Sequence, residues 1–528
     1  MVDDGSLREG QQAAIRRGSE ESGAGIVPEK SAKTRVTPVE SMEGRAAAEG
    51  KSAHGDAHRA QDRERARTQV ERIGQRAKRK EGERFNNLLS ALKVPLLKEA
   101  YQRLRRSAAP GIDGVTWEAY GEHLDARLLA LQDRIHRGSY HPQPVRRVHI
   151  PKGDGRTRPL GIPTLEDKIV QQAVRMVLEP IYEREFLGFS YGFRPGRSQH
   201  DALNALAEAV NRKLNWVLDA DIRAFFDTID HGWMQRFLEH RVADRRMVRL
   251  LMKLLHAGVM EDGELREVEE GTPQGGNVSP LLANIYLHYA LDLWAQQWRK
   301  RHARGEMYIV RYADDFVMGF QREQDARAMR EALAARLAKF GLELHPDKTR
   351  VLRFGRFARE KCEREGRTSP ETFDFLGFTH IAGVDRRGAF QLKRRTSRKK
   401  RKAKLAKLSE EMRRRRHEPV PLQHAWLCSV LRGHYRYYGV PTNTPALKLF
   451  RERVRSGWHR QLQRRSQRAR WNCKKRAAHE KLFPLPLPKI HHPWPSLRHA
   501  APSTRGGSPV REIRSPGSVR GAARAGRC

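Results

Sequence analysis

Residues 308–318 read YIVRYADDFVM. Two runs rich in β-branched and aromatic residues flank a short acidic centre. This pattern predicts a β-hairpin with the carboxylates of Asp314 and Asp315 at its tip. A pair of aspartates alone is more often a solvated turn, so the functional interpretation needs a second acidic segment.

That second segment is WVLDADI, residues 216–222. It predicts a strand whose alternation puts Val217, Asp219 and Asp221 on one face. If the strand lies beside the hairpin, Asp221 faces Asp314. Clustered carboxylates repel one another and stay ionised only with cations between them. Two Mg²⁺ ions about 4 Å apart meet this need, and they are the cofactors of nucleotidyl transfer.

The chain is strongly basic. Its 528 residues include 103 Lys and Arg against 62 Asp and Glu, a net charge of +41, and the cations run through the middle as well as the ends. This balance predicts a nucleic-acid partner. No apolar run approaches the length of a membrane-spanning helix, and the first residues lack the apolar core of a signal peptide, so no membrane partner is expected. Scattered cysteines predict a reduced, cytoplasmic protein.

Composition divides the chain into four segments. Residues 1–84 form a basic, polar leader, expected to be largely disordered with a charged helix near its end. Residues 85–385 alternate apolar periodic segments with turn signals, which predicts an α/β (α+β) domain. Residues 386–483 combine a run of Lys and Arg with a helical pattern over 421–438. Residues 484–528 are rich in Pro, Gly and Arg, which predicts a disordered tail.

Over roughly residues 85–495 the chain resembles the reverse transcriptases encoded by bacterial group II introns. Seven motifs occur in the family's order, which leaves little room for chance. They are Ile150–Lys152 with Arg158–Pro163, Ser190–Ser198, Asp221–Phe226, Gly271–Pro280, Tyr312–Asp315, His345–Thr349, and the primer-grip region Phe375–Phe378. The resemblance implies a right-hand polymerase, with fingers and an antiparallel palm sheet followed by an α-helical thumb or maturase domain.

The resemblance also implies roles in the catalytic centre. Asp221 and Asp314 would be direct metal ligands, with the carbonyl oxygen of Ile222 as a further ligand and Asp315 in support. Lys348 would donate a proton to the departing pyrophosphate, or act only as an electrostatic partner.

Asp219 competes with Asp221 for the role of ligand on the same strand. We prefer Asp221 because Phe226, five residues on, then falls at the family's sugar-side position. A ring there would clash with a ribose 2′-hydroxyl and select deoxynucleotides. The alternative is that Phe226 is only a core residue.

Further residues would contact the incoming dNTP. Lys152 and Arg158 would neutralise its triphosphate, as the family's fingers residues do. Gln274, between turn-forming glycines and prolines, would lie against the nucleotide and the template.

Residues 426–440 resemble the maturase-specific, or thumb, domain of the same family. Trp426, Leu431 and Tyr438 are expected to pack as one helix stripe, while cations face outward. Cations near aromatic rings suit phosphates and unstacked bases, although a charge run alone can be a solvated face. The cations predicted to bind RNA are Arg398, Lys399, Lys400, Arg401, Lys402, Arg432 and Arg436.

The expected function is RNA-directed DNA polymerisation, with binding of a group II intron RNA to assist splicing and retrohoming. The expected partners are this RNA in a ribonucleoprotein, a DNA target, a primer strand and dNTPs, in the cytoplasm or on the nucleoid. The paired cysteines and histidines of the family's endonuclease are absent, which suggests the endonuclease-lacking branch. Two alternatives stay open: a splicing maturase with a vestigial polymerase, and a reverse transcriptase repurposed for diversification or defence.

Overall fold

The computed structural model describes residues 53–79, 82–151, 157–212, 214–261, 264–266, 271, 275–466 and 472–494. Within these residues, no helix is both long enough and apolar enough to cross a membrane.

The described helices begin inside the segment predicted as a leader, where α1 is the charged helix expected near its end. In chain order they are α1 (Ala53–Arg79), α2 (Val94–Arg103), α3 (Trp117–Gly121), α4 (Leu124–Arg137), α5 (Leu165–Glu185), α6 (Gln199–Asn211), α7 (His231–Glu239), α8 (Arg245–Leu255), α9 (Ser279–Leu287), α10 (Leu293–Arg301), α11 (Glu323–Ala338), α12 (Ala358–Arg364), α13 (Arg398–Arg414), α14 (Val420–Tyr438), α15 (Thr444–Gln463) and α16 (Cys473–Leu482). Shorter helical turns occur at Leu89–Ala91, Phe225–Asp227 and His288–Asp292.

The described strands form separate sheets. In chain order they are β1 (Val145–Pro151), β2 (Thr157–Ile162), β3 (Trp216–Asp221), β4 (Val259–Glu261), β5 (Glu264–Arg266), β6 (Met307–Tyr312), β7 (Asp315–Phe320), β8 (Arg350–Arg353), β9 (Thr372–Phe375), β10 (Phe378–Val384) and β11 (Phe390–Thr396). Their spatial orders are β2-β1-β4-β5, β6-β7-β3-β8 and β11-β10-β9.

The sheet β6-β7-β3-β8 is the predicted palm sheet, and its neighbouring strands are antiparallel. Leu218 and Ala220 of β3 pack in one hydrophobic core with α5, α9 and α11, whereas Val217 packs in a second core with α6. The side-chain alternation predicted for this strand is therefore confirmed. Both faces of the sheet are covered, which holds its acidic end in one position.

The sheet β11-β10-β9 continues past the predicted domain boundary at residue 386. Strands β10 and β11 pair in register from Phe378 with Thr396 to Val384 with Phe390. The boundary therefore falls in the turn of a single antiparallel hairpin. The rise in Lys and Arg that suggested a boundary begins inside this hairpin, because charge composition follows the surface and not the fold.

The helices α13 to α15 pack around a third core. Leu427 and Leu431 of α14 are fully buried there beside Trp458 of α15, and Trp426 and Tyr438 pack against it half-buried. The helix α14 matches the predicted helical pattern closely. The predicted α/β (α+β) class, with an antiparallel palm sheet followed by a helical domain, is confirmed.

Residues 484–494 pack on this helical domain, unlike the disordered tail that we predicted from residue 484. The Tyr435 hydroxyl donates to the carbonyl of Pro486 at 3.1 Å, and the His491 N–H donates to the carbonyl of Gly439 at 2.8 Å. Proline lacks an N–H, so a Pro-rich segment forms no helix or ladder, yet its carbonyls still accept hydrogen bonds. The composition indicated irregular structure, which is not the same as disorder.

Candidate active site

Asp314 and Asp315 lie at the turn of the β6–β7 hairpin, as predicted. Tyr312 pairs with Asp315 across the turn, which leaves Ala313 and Asp314 as its two central residues. Ala313 has a φ of 58°, in the left-handed region that a residue with a Cβ rarely adopts. Such strain costs on the order of 1–3 kcal/mol and persists only where neighbouring groups hold the backbone.

A buried ion pair beside the turn supplies that support. The guanidinium of Arg311 is fully buried and donates to both carboxylate oxygens of Asp292, at 2.8 and 2.5 Å. Its Nη1 also donates to the carbonyl of Ala313 and to Oδ1 of Asn284, both at 3.0 Å. Sequence reasoning missed these residues. The available signal was Arg311 itself, a charged residue inside the apolar strand MYIVRY.

Gly192, from the predicted motif Ser190–Ser198, packs directly against the same turn. A Cβ on Gly192 would lie 2.2 Å from the backbone nitrogen of Ala313. Asn284 Nδ2 donates to the Gly192 carbonyl at 2.7 Å, and the Tyr191 N–H donates to the Arg311 carbonyl at 2.8 Å. This close backbone approach explains why a residue without a side chain stands there.

Asp221, at the end of β3, lies directly opposite Asp315 of β7. The sequence predicted that Asp221 faces Asp314, which is the adjoining turn residue. One end of the palm sheet therefore holds Asp221, Asp314 and Asp315 together.

This grouping is visible in the electrostatics of Asp315. Burial, together with the charges of Asp314, Asp219 and Asp221, raises the pKa of its carboxyl to about 7. A backbone hydrogen bond from Leu376 opposes the shift. Negative charge at this end of the sheet is thus unfavourable without a cation.

Lys348 supplies one cation. Its Nζ lies 2.5 Å from Oδ2 of Asp221, and both side chains are partly exposed. The predicted motif His345–Thr349 is also joined to β3 by backbone, since the His345 N–H donates to the Asp221 carbonyl at 2.8 Å. Ile222 follows β3 with a buried side chain. The contact supports the electrostatic interpretation of Lys348, and its proton transfer stays a prediction.

Asp219, the competing ligand, has a different partner. Its Oδ2 lies 3.5 Å from Nε of Arg350 on β8. Burial raises the pKa of Asp219 to about 6, although Arg350 lowers it and Asp374 adds a repulsive charge. Because Asp219 lies two residues further from the hairpin turn, the geometry favours Asp221 as the ligand.

Phe226 lies half-buried in the turn after β3, with its ring centroid 5.3 Å from that of Phe225. Gly271, the first residue of the predicted motif Gly271–Pro280, packs behind this turn. A Cβ on Gly271 would lie 2.9 Å from the carbonyl oxygen of Phe226. The two motifs therefore meet. Half-burial is compatible with both interpretations of Phe226, so sugar selection stays a prediction.

The primer-grip region forms a tight turn between β9 and β10, which we call the grip turn (Leu376–Gly377). Both residues have positive φ, 48° and 79°. The Leu376 N–H donates to Asp315, and the Leu376 carbonyl accepts from the Tyr437 hydroxyl of α14 at 2.8 Å. The Ser397 N–H, immediately before α13, donates to the Gly377 carbonyl at 3.0 Å. The helical domain is therefore joined to Asp315, at the acidic end of the palm sheet, through this turn.

The structure describes few of the side chains predicted to contact the dNTP. Lys152 and Gln274 lie outside the described residues, and Arg158 is described only as a backbone position in β2, opposite Ile150.

The predicted RNA-binding cations lie on α13 and α14. Arg398, Lys399, Lys400 and Lys402 are exposed in the first turns of α13, and Arg401 there is half-buried. The first turn of α13 contains no acidic residue. On α14, the remaining two cations, Arg432 and Arg436, are exposed as well.

The donor set fits Mg²⁺, which prefers oxygen ligands. Among the described residues, no three His, Cys, Asp or Glu side chains converge as a formed metal site. Asp221 contacts Lys348 instead. Crowding among Asp221, Asp314 and Asp315 is nevertheless the situation that a divalent cation relieves.

Comparisons with known proteins agree with this geometry. Residues 150–380 match the reverse transcriptase (RNA-dependent DNA polymerase) family. Protein YkfC of Escherichia coli is 38% identical over 275 residues, which are 46% of this chain and 72% of YkfC. The group II intron-encoded protein LtrA of Lactococcus lactis is 37% identical over 237 residues, 44% of this chain and 39% of LtrA. The putative COX1/OXI3 intron 1 protein of Saccharomyces cerevisiae is 28% identical over 315 residues, 50% of this chain and 38% of that protein.

The chain thus spans most of YkfC but less than half the length of the two intron proteins. The matched segment contains the acidic hairpin, β3 and the grip turn. The chain belongs to the reverse transcriptase family, among the relatives of group II intron-encoded proteins.

Proposed function

We propose that this protein is an RNA-directed DNA polymerase that extends a primer with dNTPs, and that it also binds a group II intron RNA to assist splicing and retrohoming. The observation that carries the proposal is the position of Asp221 opposite Asp315, with Asp314 in the adjoining turn. Buried strands on both sides hold these carboxylates at one end of the palm sheet.

The residues of the site have different roles in nucleotidyl transfer. Two Mg²⁺ ions, when bound, would activate the attacking hydroxyl and stabilise the leaving pyrophosphate. Asp221 and Asp314 would hold them, with the Ile222 carbonyl as a further oxygen ligand and Asp315 in support. Lys348 balances the charge of Asp221 before loading. Its flexible stem then allows the ammonium to move toward the negative triphosphate.

The substrate contacts follow from the family resemblance. Lys152 and Arg158 would neutralise the triphosphate, and Gln274 would contact the nucleotide and the template. Phe226, at the end of the β3 turn, would exclude the ribose 2′-hydroxyl. The DNA target and primer strand would lie in front of the same carboxylates.

The RNA-binding role is supported by the start of α13. The basic run, Arg398–Lys402, places five cations where the helix macrodipole is already positive, and no acid compensates for them in the first turn. Like charges at this end destabilise a helix, whereas a bound phosphate stabilises it. The exposed Arg432 and Arg436 of α14 would extend the surface. The free cysteines of the described chain suit a cytoplasmic site of action.

Primer extension tests the polymerase. With a primed RNA template, dNTPs and Mg²⁺, the protein should extend the primer. Asp221→Asn and Asp314→Asn should abolish extension, because an amide supplies one oxygen and no charge. Asp219→Asn should retain most of the activity, and an equal loss there would move the metal ligand to Asp219.

Splicing and primer extension by the parent protein distinguish this proposal from the alternative, a maturase with a vestigial polymerase. If the parent protein binds and splices intron RNA but extends no primer, that alternative holds and the polymerase proposal fails. Activity near the parent level in Asp314→Asn would refute the catalytic assignment itself.

A further inference from the structure

A groove of about 780 Å³ lies at the end of the palm sheet away from the carboxylates. Its lining comes from the end of α6, from the segment after β8, from β11 and from the last described residues. The lining includes Asn211, Arg356, Phe357, Phe390, Gln391 and Trp494.

The groove is separate from the catalytic centre. Strand β3 runs from Trp216, which pairs with Arg353 just before the groove segment, to Asp221 at the catalytic end. This length corresponds to about 17 Å at the usual rise of an antiparallel strand. Phe390 likewise pairs with the far end of β10, away from the grip turn.

Aromatic rings stand open to solvent in this groove. Phe357 is 49% exposed, and Phe390 and Trp494 are half-buried. A contiguous apolar patch that stays partly open to solvent often marks a binding site. Rings of this kind stack with unpaired bases, and the amides of Asn211 and Gln391 can pair with base edges.

The charge around the groove is positive. Arg356 donates only to the backbone carbonyls of Asn211 and Arg212, at 3.4 and 3.1 Å, and has no ion pair within the described residues. Glu360, the acidic residue of the lining, is neutralised by Arg364 at 2.5 Å.

A second cation lies behind the wall of the groove. Arg394 is fully buried, and its guanidinium lies 4.4 Å from the centroid of the Trp494 ring. Its Nε and Nη2 have no hydrogen-bond partner among the described residues, and its Nη1 reaches Asn204 only at 3.4 Å. A buried charge without a counter-ion is costly, so an anion in the groove would be stabilised.

We propose that this groove binds an unpaired stretch of RNA, with bases stacked on Phe357, Phe390 and Trp494 and a phosphate beside Arg356. The site deepens the proposed role in intron RNA binding and rests on it. Structured RNA presents unpaired bases in loops and bulges, whereas a DNA target is mostly duplex. The segment that continues from Trp494, residues 495–528, is a poor occupant, because it has seven Arg, one acid and no aromatic residue.

Binding of short fluorescent oligoadenylate tests the proposal. The parent for these variants is the 528-residue chain with the basic run neutralised, so that α13 does not mask the groove. Phe357→Ala and Arg356→Gln should each weaken binding, Phe357→Ala by about ten-fold as expected for one lost base stack. Affinity for an RNA duplex and the rate of primer extension should stay within about two-fold, since duplex presents no free base faces. Leu129→Ala, which removes a comparably exposed apolar side chain on α4, is the matched control.

The outcomes separate the explanations. Unchanged oligoadenylate affinity in both groove variants, or an equal loss of duplex affinity, overturns the site. Equal binding of oligodeoxyadenylate overturns the assignment to RNA. A protein ending at Trp494 that binds oligoadenylate much more tightly identifies residues 495–528 as the occupant. Failure of the unsubstituted protein to extend a primer would refute the polymerase and leave this result intact.

Discussion

The hydroxyl of Tyr437 donates a hydrogen bond of 2.8 Å to the carbonyl of Leu376. The N–H of the same Leu376 donates to the carboxylate of Asp315. One residue of the grip turn is thus held by the helical domain on one side and by the acidic end of the palm sheet on the other. The helical domain and the acidic end of the palm sheet are therefore coupled through the backbone of Leu376.

Tyr437→Phe tests this coupling, because it removes the hydroxyl and keeps the ring. We expect a loss of about 1 kcal/mol in the free energy of unfolding, the usual cost of one lost hydrogen bond. We also expect a several-fold lower kcat for primer extension with little change in the KM for dNTP. Tyr438→Phe is the control, since that hydroxyl has no hydrogen-bond partner among the described residues. Equal effects in the two variants would reduce Tyr437 to a packing residue.

The ion pair of Arg311 with Asp292 supports the hairpin turn from inside. Arg311→Met leaves a buried carboxylate without its cation, which should cost about 3–5 kcal/mol of stability. The double variant Arg311→Met with Asp292→Leu should recover most of that stability, because it removes both charges. It should remain slow in primer extension, since the Ala313 carbonyl has lost its donor. Thermal unfolding and extension rates of both variants make the comparison, and full recovery of extension would contradict a positioning role.

Gly192→Ala places a methyl group against the backbone of Ala313, where the Cβ would approach to 2.2 Å. The strained turn must then shift, and displacement of a reacting group by about 1 Å can cost about a hundred-fold in rate. We expect that loss in primer extension, with RNA affinity unchanged. Gly433→Ala on α14 is the control, because a Cβ there meets no atom within 4 Å. An extension rate near that of the parent in Gly192→Ala would show that the hairpin does not need this contact.

Phe226→Ala tests sugar selection. If the ring excludes the 2′-hydroxyl, the ratio of rNTP to dNTP incorporation should rise by at least about ten-fold, in keeping with steric discrimination in a pocket. Incorporation of single nucleotides on one template measures the ratio. Phe225→Leu, a change in the fully buried neighbouring ring, controls for loss of packing. A constant ratio would assign Phe226 to the core.

The acidic segments were predictable because carboxylates in otherwise apolar strands conflict with burial and so attract a functional explanation. The residues that support these segments were not predictable. Asp292 is distant from Arg311 in sequence and lies in a helical segment, where a carboxylate is usually exposed on the surface. Tyr437 belongs to a helix stripe, and a periodic aromatic residue predicts packing and not a hydrogen bond to a turn 61 residues away. Sequence periodicity predicts which face of a helix or strand is buried. The specific hydrogen-bond partner of a side chain depends on how several helices and strands pack together.

The last prediction concerns the basic run, and it separates a local RNA site from the general charge of the chain. Replacement of Arg398, Lys399, Lys400, Arg401 and Lys402 by Gln should weaken RNA binding and flatten its salt dependence. Each lost phosphate contact removes about 0.7 to 0.9 from the slope of log affinity against log salt concentration. The matched control replaces Lys300, Arg301, Arg304, Arg322 and Arg330, which are exposed cations around α10 and α11, and so lowers the net charge equally.

RNA affinity at several salt concentrations is the measurement, with thermal unfolding to confirm that both proteins fold. Removal of the cations should, if anything, stabilise α13, because they oppose its macrodipole. Ser397 joins this helix to the grip turn through the Gly377 carbonyl, and the five substitutions leave Ser397 unchanged. Extension on a short template should therefore fall less than RNA affinity does. Equal slopes in the two variants would mean that the basic run contributes only through overall charge, and the RNA-binding role would then rest on family resemblance.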